Sequence, residues 1–169
     1  MATYIKTIKQ NSDIILPVTS VDALTGGIDV TDVQQNIITA SIGTSGNDTQ
    51  INTDAIFPIN SVFNQVGTGF TISDSCIVVG AGITKVLVSA SIFFVYRSSM
   101  NYAWYQLEKN GTEVAGTRII TNTYGGSFGT GTMAEKLLTV AEGDKLRLKN
   151  LTNATYRQLH SYITVKQIA

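Results

Sequence analysis

The chain has 169 residues, 43% of them apolar and only 14% charged, and its twelve basic and twelve acidic side chains cancel to zero. Roughly a quarter charged is usual, and disorder needs the opposite balance, so a folded chain with one hydrophobic core and an appendage is expected. A surface of Thr, Ser, Asn and Gly without clustered Lys and Arg excludes nucleic acid as a partner, because phosphates demand positive charge. Zero net charge also excludes long-range attraction of a charged ligand.

The opening residues 1–10 hold no continuous apolar core and no cleavage site, which predicts synthesis in a cytoplasm without a signal peptide. No apolar run approaches the roughly 20 residues that span a bilayer, so no membrane association is expected. On that expectation the Asn-x-Ser/Thr triplets at Asn47, Asn110, Asn150 and Asn153 are accidents of composition. Residues 4–8 and 14–16 can pair as a hairpin across residues 10–13. Residues 17–27 then read as a short turn or helix, with Ser20 as a cap. Residues 28–60 carry isolated apolar side chains amid Thr, Asn, Asp and Gln. Such a stretch buries no core of its own, and it is expected to lie extended or to wrap a neighbouring subunit. The domain division predicted from this pattern is 1–61 and 62–169.

From there the signals are those of strands. Short strands are predicted at residues 70–72 and 76–79, around Ser73 and Asp74. Residues 85–97 form the clearest strand. Val86, Val88, Ala90, Ile92, Phe94 and Tyr96 share one face, while Leu87, Ser89, Ser91, Phe93 and Val95 share the other. Both faces are fairly apolar, so both need cover: a sandwich interior on one side and a subunit interface on the other, or a very central position. Residues 101–109 put Ala103, Tyr105 and Leu107 inward and Tyr102, Trp104 and Gln106 outward. The strand runs into Asn110-Gly111, a strong hairpin signal because both residues tolerate positive φ. Residues 113–121 return, and a glycine-rich loop follows over 124–131. Strands are predicted at 133–140, at 145–151 with Lys145, Arg147 and Lys149 in an outward row, and at 158–168. Regular strands with turn punctuation predict an all-β antiparallel sandwich of the jelly-roll kind.

Catalytic patterns are missing. His160 is the sole histidine, predicted to face outward with Tyr162 and Thr164, which excludes a multi-histidine metal site. The lone Cys76 has no internal disulfide partner and reads as a small buried hydrophobe. Asp22, Asp29, Asp32, Asp48 and Asp54 follow no calcium-loop spacing. The glycine loop lacks the lysine and following helix of a phosphate cradle, and no two glutamates are brought to one place. No cofactor, no metal and no enzymatic activity are expected. The basic row, with Arg118 and Arg157, reads as the wet face of a strand or as a contact surface. Tyr102, Trp104 and Tyr124 are the candidate receptor or ligand contacts, because an aromatic face can stack on a sugar ring or fill an interface.

Taken together, residues 83–94, 105–112, 138–148 and 162–166 resemble, in order, a jelly roll of the tumour necrosis factor and complement globular-head type. Phage head and tail fibres use similar modules. The resemblance spans about residues 66–169 and implies a homotrimer around a threefold axis. The opening phrase Tyr4-Ile-Lys followed by Ile15-Leu-Pro-Val-Thr-Ser-Val-Asp-Ala-Leu24 is similar to the start of minor structural proteins of tailed phages. It implies attachment to a virion through Tyr4, Ile15, Leu16, Pro17, Val18, Val21 and Leu24. The expectation is therefore a virion structural protein: a head fibre, tail fibre or baseplate component. It would partner itself and other capsid, tail or baseplate proteins, and adhere to a host-surface glycan or receptor. The alternative from a different class is a bacterial carbohydrate- or ligand-binding β-sandwich module.

Overall fold

A computed structural model describes residues 9–10, 13–14, 35–44, 46–95, 102–122 and 128–168. The chain divides into a short unit, Met1–Gln34, and a larger one, Gln35–Ala169. In the first, β1 (Lys9–Gln10) pairs antiparallel with β2 (Asp13–Ile14), a tighter hairpin than the predicted pairing of 4–8 with 14–16, whose residues 4–8 and 15–16 lie outside the described ones. The remaining N-terminal positions singled out above, Tyr4, Ile15, Leu16, Pro17, Val18, Val21 and Leu24 among them, lie outside the described residues.

The larger unit is built from β3 (Ile37–Ile42), β4 (Asp48–Ile51), β5 (Ile59–Val66), β6 (Phe70–Ser73), β7 (Cys76–Val79), β8 (Lys85–Phe94), β9 (Tyr102–Lys109), β10 (Thr112–Glu113), β11 (Ile119–Asn122), β12 (Gly129–Thr139), β13 (Lys145–Asn150), β14 (Ala154–Arg157) and β15 (Tyr162–Gln167). All the described pairings are antiparallel. The smaller sheet has the order β10-β9-β13-β7-β6, with β11 also on β9. The larger runs β4-β14-β8-β15-β3-β5, with β12 on the other side of β8.

Two tight hairpins show how local sequence fixes register. Lys109 faces Thr112 across Asn110 (φ 52°) and Gly111 (φ 81°), and Ser73 faces Cys76 across Asp74 (φ 51°) and Ser75 (φ 60°). Two central residues with positive φ turn the backbone with the hand of the flanking strands. Asn110 does more. Its side-chain oxygen accepts from the Lys145 N–H at 2.8 Å while its amide donates to Asp144 at 2.6 Å, which clasps this hairpin to the turn before β13.

Alternate residues of both sheets meet in one core. Val86, Val88, Ala90, Ile92 and Phe94 of β8 are buried, as are Ala103, Tyr105 and Leu107 of β9 and Leu146 and Leu148 of β13. Phe57 lies at the centre of an aromatic cluster, edge-on to Tyr156 (5.1 Å), Phe94 (6.4 Å) and Tyr105 (6.4 Å). Edge-to-face contact suits the ring quadrupoles. The Tyr105 hydroxyl crosses the core from the small sheet and donates to the Gly131 carbonyl of the large one at 2.8 Å. Burial pushes its ionisation far up, so it stays a neutral donor. Burial likewise pushes Tyr156 up to about 12.

Several expectations are corrected. The division at residues 61 and 62 is replaced by one at Gln35. Residues 35–61 are not an extended attachment segment but supply β3, β4 and the start of β5. Their isolated apolar residues Ile38, Ala40, Ile42, Ile51, Phe57 and Ile59 are core side chains. β3 is buried because it lies between β15 and β5, a pairing that joins residues about 125 positions apart. The predicted return strand 113–121 is broken between β10 and β11, where Thr117 turns inward and bonds Val114 and Leu107. The predicted strand 158–168 begins with a single 3-10 turn, Gln158–His160, which leaves Leu159 exposed. β12 starts four residues earlier than expected, within the glycine-rich run.

Candidate functional site: the outer faces of the two sheets

The outer face of the small sheet is charged and internally matched. Arg147 lies opposite Glu108 in register and meets it at 2.8 Å. Lys149 meets Asp54 at 2.8 Å and Glu108 at 4.0 Å, and Lys145 meets Asp74 at 3.3 Å. Arg118 meets Glu113 at 3.1 Å, and Arg157, on the large sheet, meets its register partner Asp48 at 2.8 Å. Hydrogen bonding to Asp54 raises the ionisation of Lys149, and bonding to Asp48 raises that of Arg157. The basic row is therefore a ladder of ion pairs, and its cations are already met by carboxylates. That leaves little uncompensated positive charge there to draw an anionic partner.

Beyond the ladder on the same face stand Tyr102, 52% exposed, and Trp104, half-buried, with ring centroids 5.6 Å apart. Ile120, 59% exposed, lies opposite Trp104 on β11. The inward and outward alternation along β9 is as the sequence predicted. Tyr124, the third expected contact, lies outside the described residues.

The outer face of the large sheet has the opposite character. Its central side chains are Leu87, Ser89, Ser91 and Phe93 on β8, Tyr162 and Thr164 on β15, and Ile37, Thr39 and Ser41 on β3. Charges stand at its margins: Lys85 and Lys166 toward one end, and the paired Arg157 and Asp48 beside Phe93. Thr39 and Thr164 satisfy each other at 3.0 Å, and Ser91 and Thr132 approach to 3.4 Å. Two register shifts in β5 make bulges, one of them at Phe63 between the pairs Ala40↔Val62 and Thr39↔Asn64. A bulge re-aims a side chain, and Phe63 is left 79% exposed. With Thr39, Ser41, Leu159, His160 and Tyr162 it rims an open hollow of about 330 Å³. Beside the hollow, Phe93 packs on Phe128 (5.3 Å) and His160 (5.7 Å), and the Arg157 guanidinium lies 5.2 Å from the Phe128 ring centre. Nothing among the described residues covers Phe63, Leu159, Tyr162 or the neighbouring Leu137.

Sequence reasoning anticipated that β8 needs cover on both faces and that His160 shares a face with Tyr162. It missed Phe63, whose only signal was an apolar residue within a polar stretch. Cys76 is buried, its thiol pushed up by desolvation and lying 3.3 Å from the Asp74 carbonyl. Neither fits a nucleophile. Among the described residues no group of three His, Cys, Asp or Glu side chains is arranged to hold a metal.

No protein-family model matches the chain, and no curated protein matches it. Solved structures do. The Eiger TNF of S. frugiperda superposes with a TM-score of 0.58 at 14% identity, over 79% of this chain and 94% of that one. The fold is a tumour necrosis factor-like jelly roll. Murine APRIL gives a TM-score of 0.57 at 12% identity, over 79% of this chain and 99% of its own. The globular domain of zebrafish complement 1qA gives 0.54 at 10%, over 79% and 95%. The jelly-roll expectation therefore holds, and it extends N-terminally to take in β3 to β5.

Proposed function

We propose that this jelly roll is a non-catalytic assembly module that closes into a homotrimer through the outer face of its large sheet. The observation that carries the reading is the contrast in charge. Matched ion pairs occupy the small sheet's outer face, with Tyr102 and Ile120 exposed beyond them, whereas the large sheet's outer face has no charge at its centre and leaves Phe63, Leu159, Tyr162 and Leu137 in water. An exposed apolar patch with few charges favours protein association, and a second copy offers the same uncharged chemistry. Closure about an axis would bury the patch and end the series, where open stacking would make fibres. Threefold symmetry is what the family resemblance implies. Light scattering at neutral pH tests it: three times the chain mass is expected, and a monomer at micromolar concentration overturns it.

The finer reading is a virion structural protein, a head fibre, tail fibre or baseplate component. Its N-terminal segment, through Tyr4, Ile15 to Val18, Val21 and Leu24, holds it to capsid, tail or baseplate proteins. Support comes from the opening phrase and its similarity to minor structural proteins of tailed phages. Removal of residues 1–34 is expected to leave trimers intact and to abolish incorporation into particles, as read by mass spectrometry of purified virions. Unchanged incorporation overturns the attachment role. In this reading Tyr102 and Trp104 meet a host-surface glycan or receptor, since they remain accessible on the face the trimer does not use.

A further inference from the structure

The charge ladder of the small sheet ends in an uncharged platform. Tyr102 and Trp104 lie two residues apart on β9, so both rings point outward, and Ile120 of β11 faces Trp104 across the strand pair. The indole nitrogen of Trp104 is shut off from solvent and has no hydrogen-bond partner among the described residues. What this ring shows to water is therefore carbon, and Tyr102 extends that apolar surface with its ring centre 5.6 Å away. The rim is polar but carries no spare charge. Arg118 donates to Glu113 at 3.1 Å and to Gln106 at 3.5 Å. Arg118 and Glu113 both remain partly exposed. A guanidinium has five N–H donors and a carboxylate two acceptor oxygens, so the pair keeps hydrogen-bonding capacity for another partner.

We propose that this platform binds a neutral hexopyranose unit of a glycan. The proposal rests on the reading of Tyr102 and Trp104 as a receptor contact and names the receptor's chemistry. A pyranose ring carries C–H groups on one face and hydroxyls around its edge. The C–H face matches the electron-rich face of an aromatic ring. The hydroxyl edge both donates and accepts, as the Arg118–Glu113 pair does. The neighbouring cation Lys149 is already met by Asp54 at 2.8 Å, so an acidic sugar gains no attraction there. A protein partner fits less well. A stable protein interface takes roughly 800 Å² from each side, and three apolar side chains do not supply it. A trimer carries three platforms, so weak single contacts multiply on a surface of repeated sugars.

Trp104 is the chain's single tryptophan, so its emission reports this site alone. The test titrates the full chain with neutral oligosaccharides of glucose, galactose and mannose, and with uronic-acid oligosaccharides as the charged comparison. At least one neutral series is expected to shift the emission to the blue and to saturate. Tyr102→Ala is expected to weaken that binding at least tenfold with the assembled mass unchanged. Neutral sugars that leave the emission unmoved, uronic acids that bind more tightly, or binding that survives Tyr102→Ala each overturn the sugar site. Acrylamide quenching separates that failure from failure of the reading beneath it. Trp104 is expected to be quenched equally in the native assembly and in Phe63→Asp, whose assembly is weakened. Quenching that appears only in Phe63→Asp means that assembly covers this face, which overturns its use as a receptor contact.

Discussion

The two sheets of this sandwich share one core and differ on the outside. On the small sheet, Glu108, 4% exposed, sits between Arg147 and Lys149, while Asp54 and Asp74 reach in from turns to complete the ladder. On the large sheet the corresponding positions are hydroxyls, aromatics and aliphatics, and nothing charged lies at the centre. The outer pairs to Asp74 and Glu113 add little stability, but they fill the face with matched charge. On the face of Thr, Ser, Tyr and Phe, Thr39 pairs with Thr164 and Ser91 with Thr132, and apolar area is left in water. The proposed trimer rests on that difference.

The sharpest way to break the contrast is to charge the apolar side. Tyr162→Asp or Phe63→Asp is expected to weaken assembly more than 100-fold by light scattering, because an unpaired carboxylate in an apolar interface is strongly disfavoured. Near-UV circular dichroism should keep a folded signal. The matched change on the other face, Arg118→Ala with Lys149→Ala, is expected to leave the assembled mass unchanged within twofold in concentration dependence. Equal effects from both faces would remove the distinction.

The second test neutralises the centre of the ladder. Glu108→Gln leaves two cations without their shared carboxylate and is expected to cost about 1–3 kcal/mol in urea unfolding. Next comes the strut between sheets. Tyr105→Phe leaves the Gly131 carbonyl without its hydroxyl donor and should cost about 1–2 kcal/mol, with little change in assembly.

The smallest effect concerns acid. The Asn110 amide, helped by the Ala141 N–H and Lys109, holds the Asp144 carboxyl below the usual carboxylate range. A lowered folded-state value means that Asp144 contributes stability above its unfolded-state value, and that this contribution disappears as pH falls through the folded value. Urea midpoints should therefore drop below about pH 4. Asp144→Asn should flatten that limb while costing about 1 kcal/mol at pH 7.

Much of the small sheet was legible because its signals are local. Asn110-Gly111 fixes a hairpin through two residues of backbone preference. Alternation in residues 102–109 then sorts Tyr105 from Trp104 without any tertiary knowledge. The strand at Lys85–Phe94 announced its need for cover on both faces by lacking a polar one. Where the reading failed, the deciding partner was remote. Phe57, in the run Ala55-Ile56-Phe57-Pro58-Ile59, shows no strand period, and only Tyr156 and Phe94 closing around it make it the centre of the core. Leu159 fits a strand pattern until the backbone tightens into a 3-10 turn and points it to solvent. The basic row looked available because Asp54 and Asp74 are far from it in sequence.

By itself, then, the sequence determined the class of fold, the positions of its tight turns and the faces of its strongest strands. Those depend on side-chain period and on φ preferences of single residues, which act within a few positions. Only the tertiary structure decided that residues 35–61 complete the large sheet, that the cations are matched and that Phe63 and His160 share one hollow. Antiparallel pairing brings together strands more than a hundred residues apart, and no local preference encodes which edge a distant strand will meet.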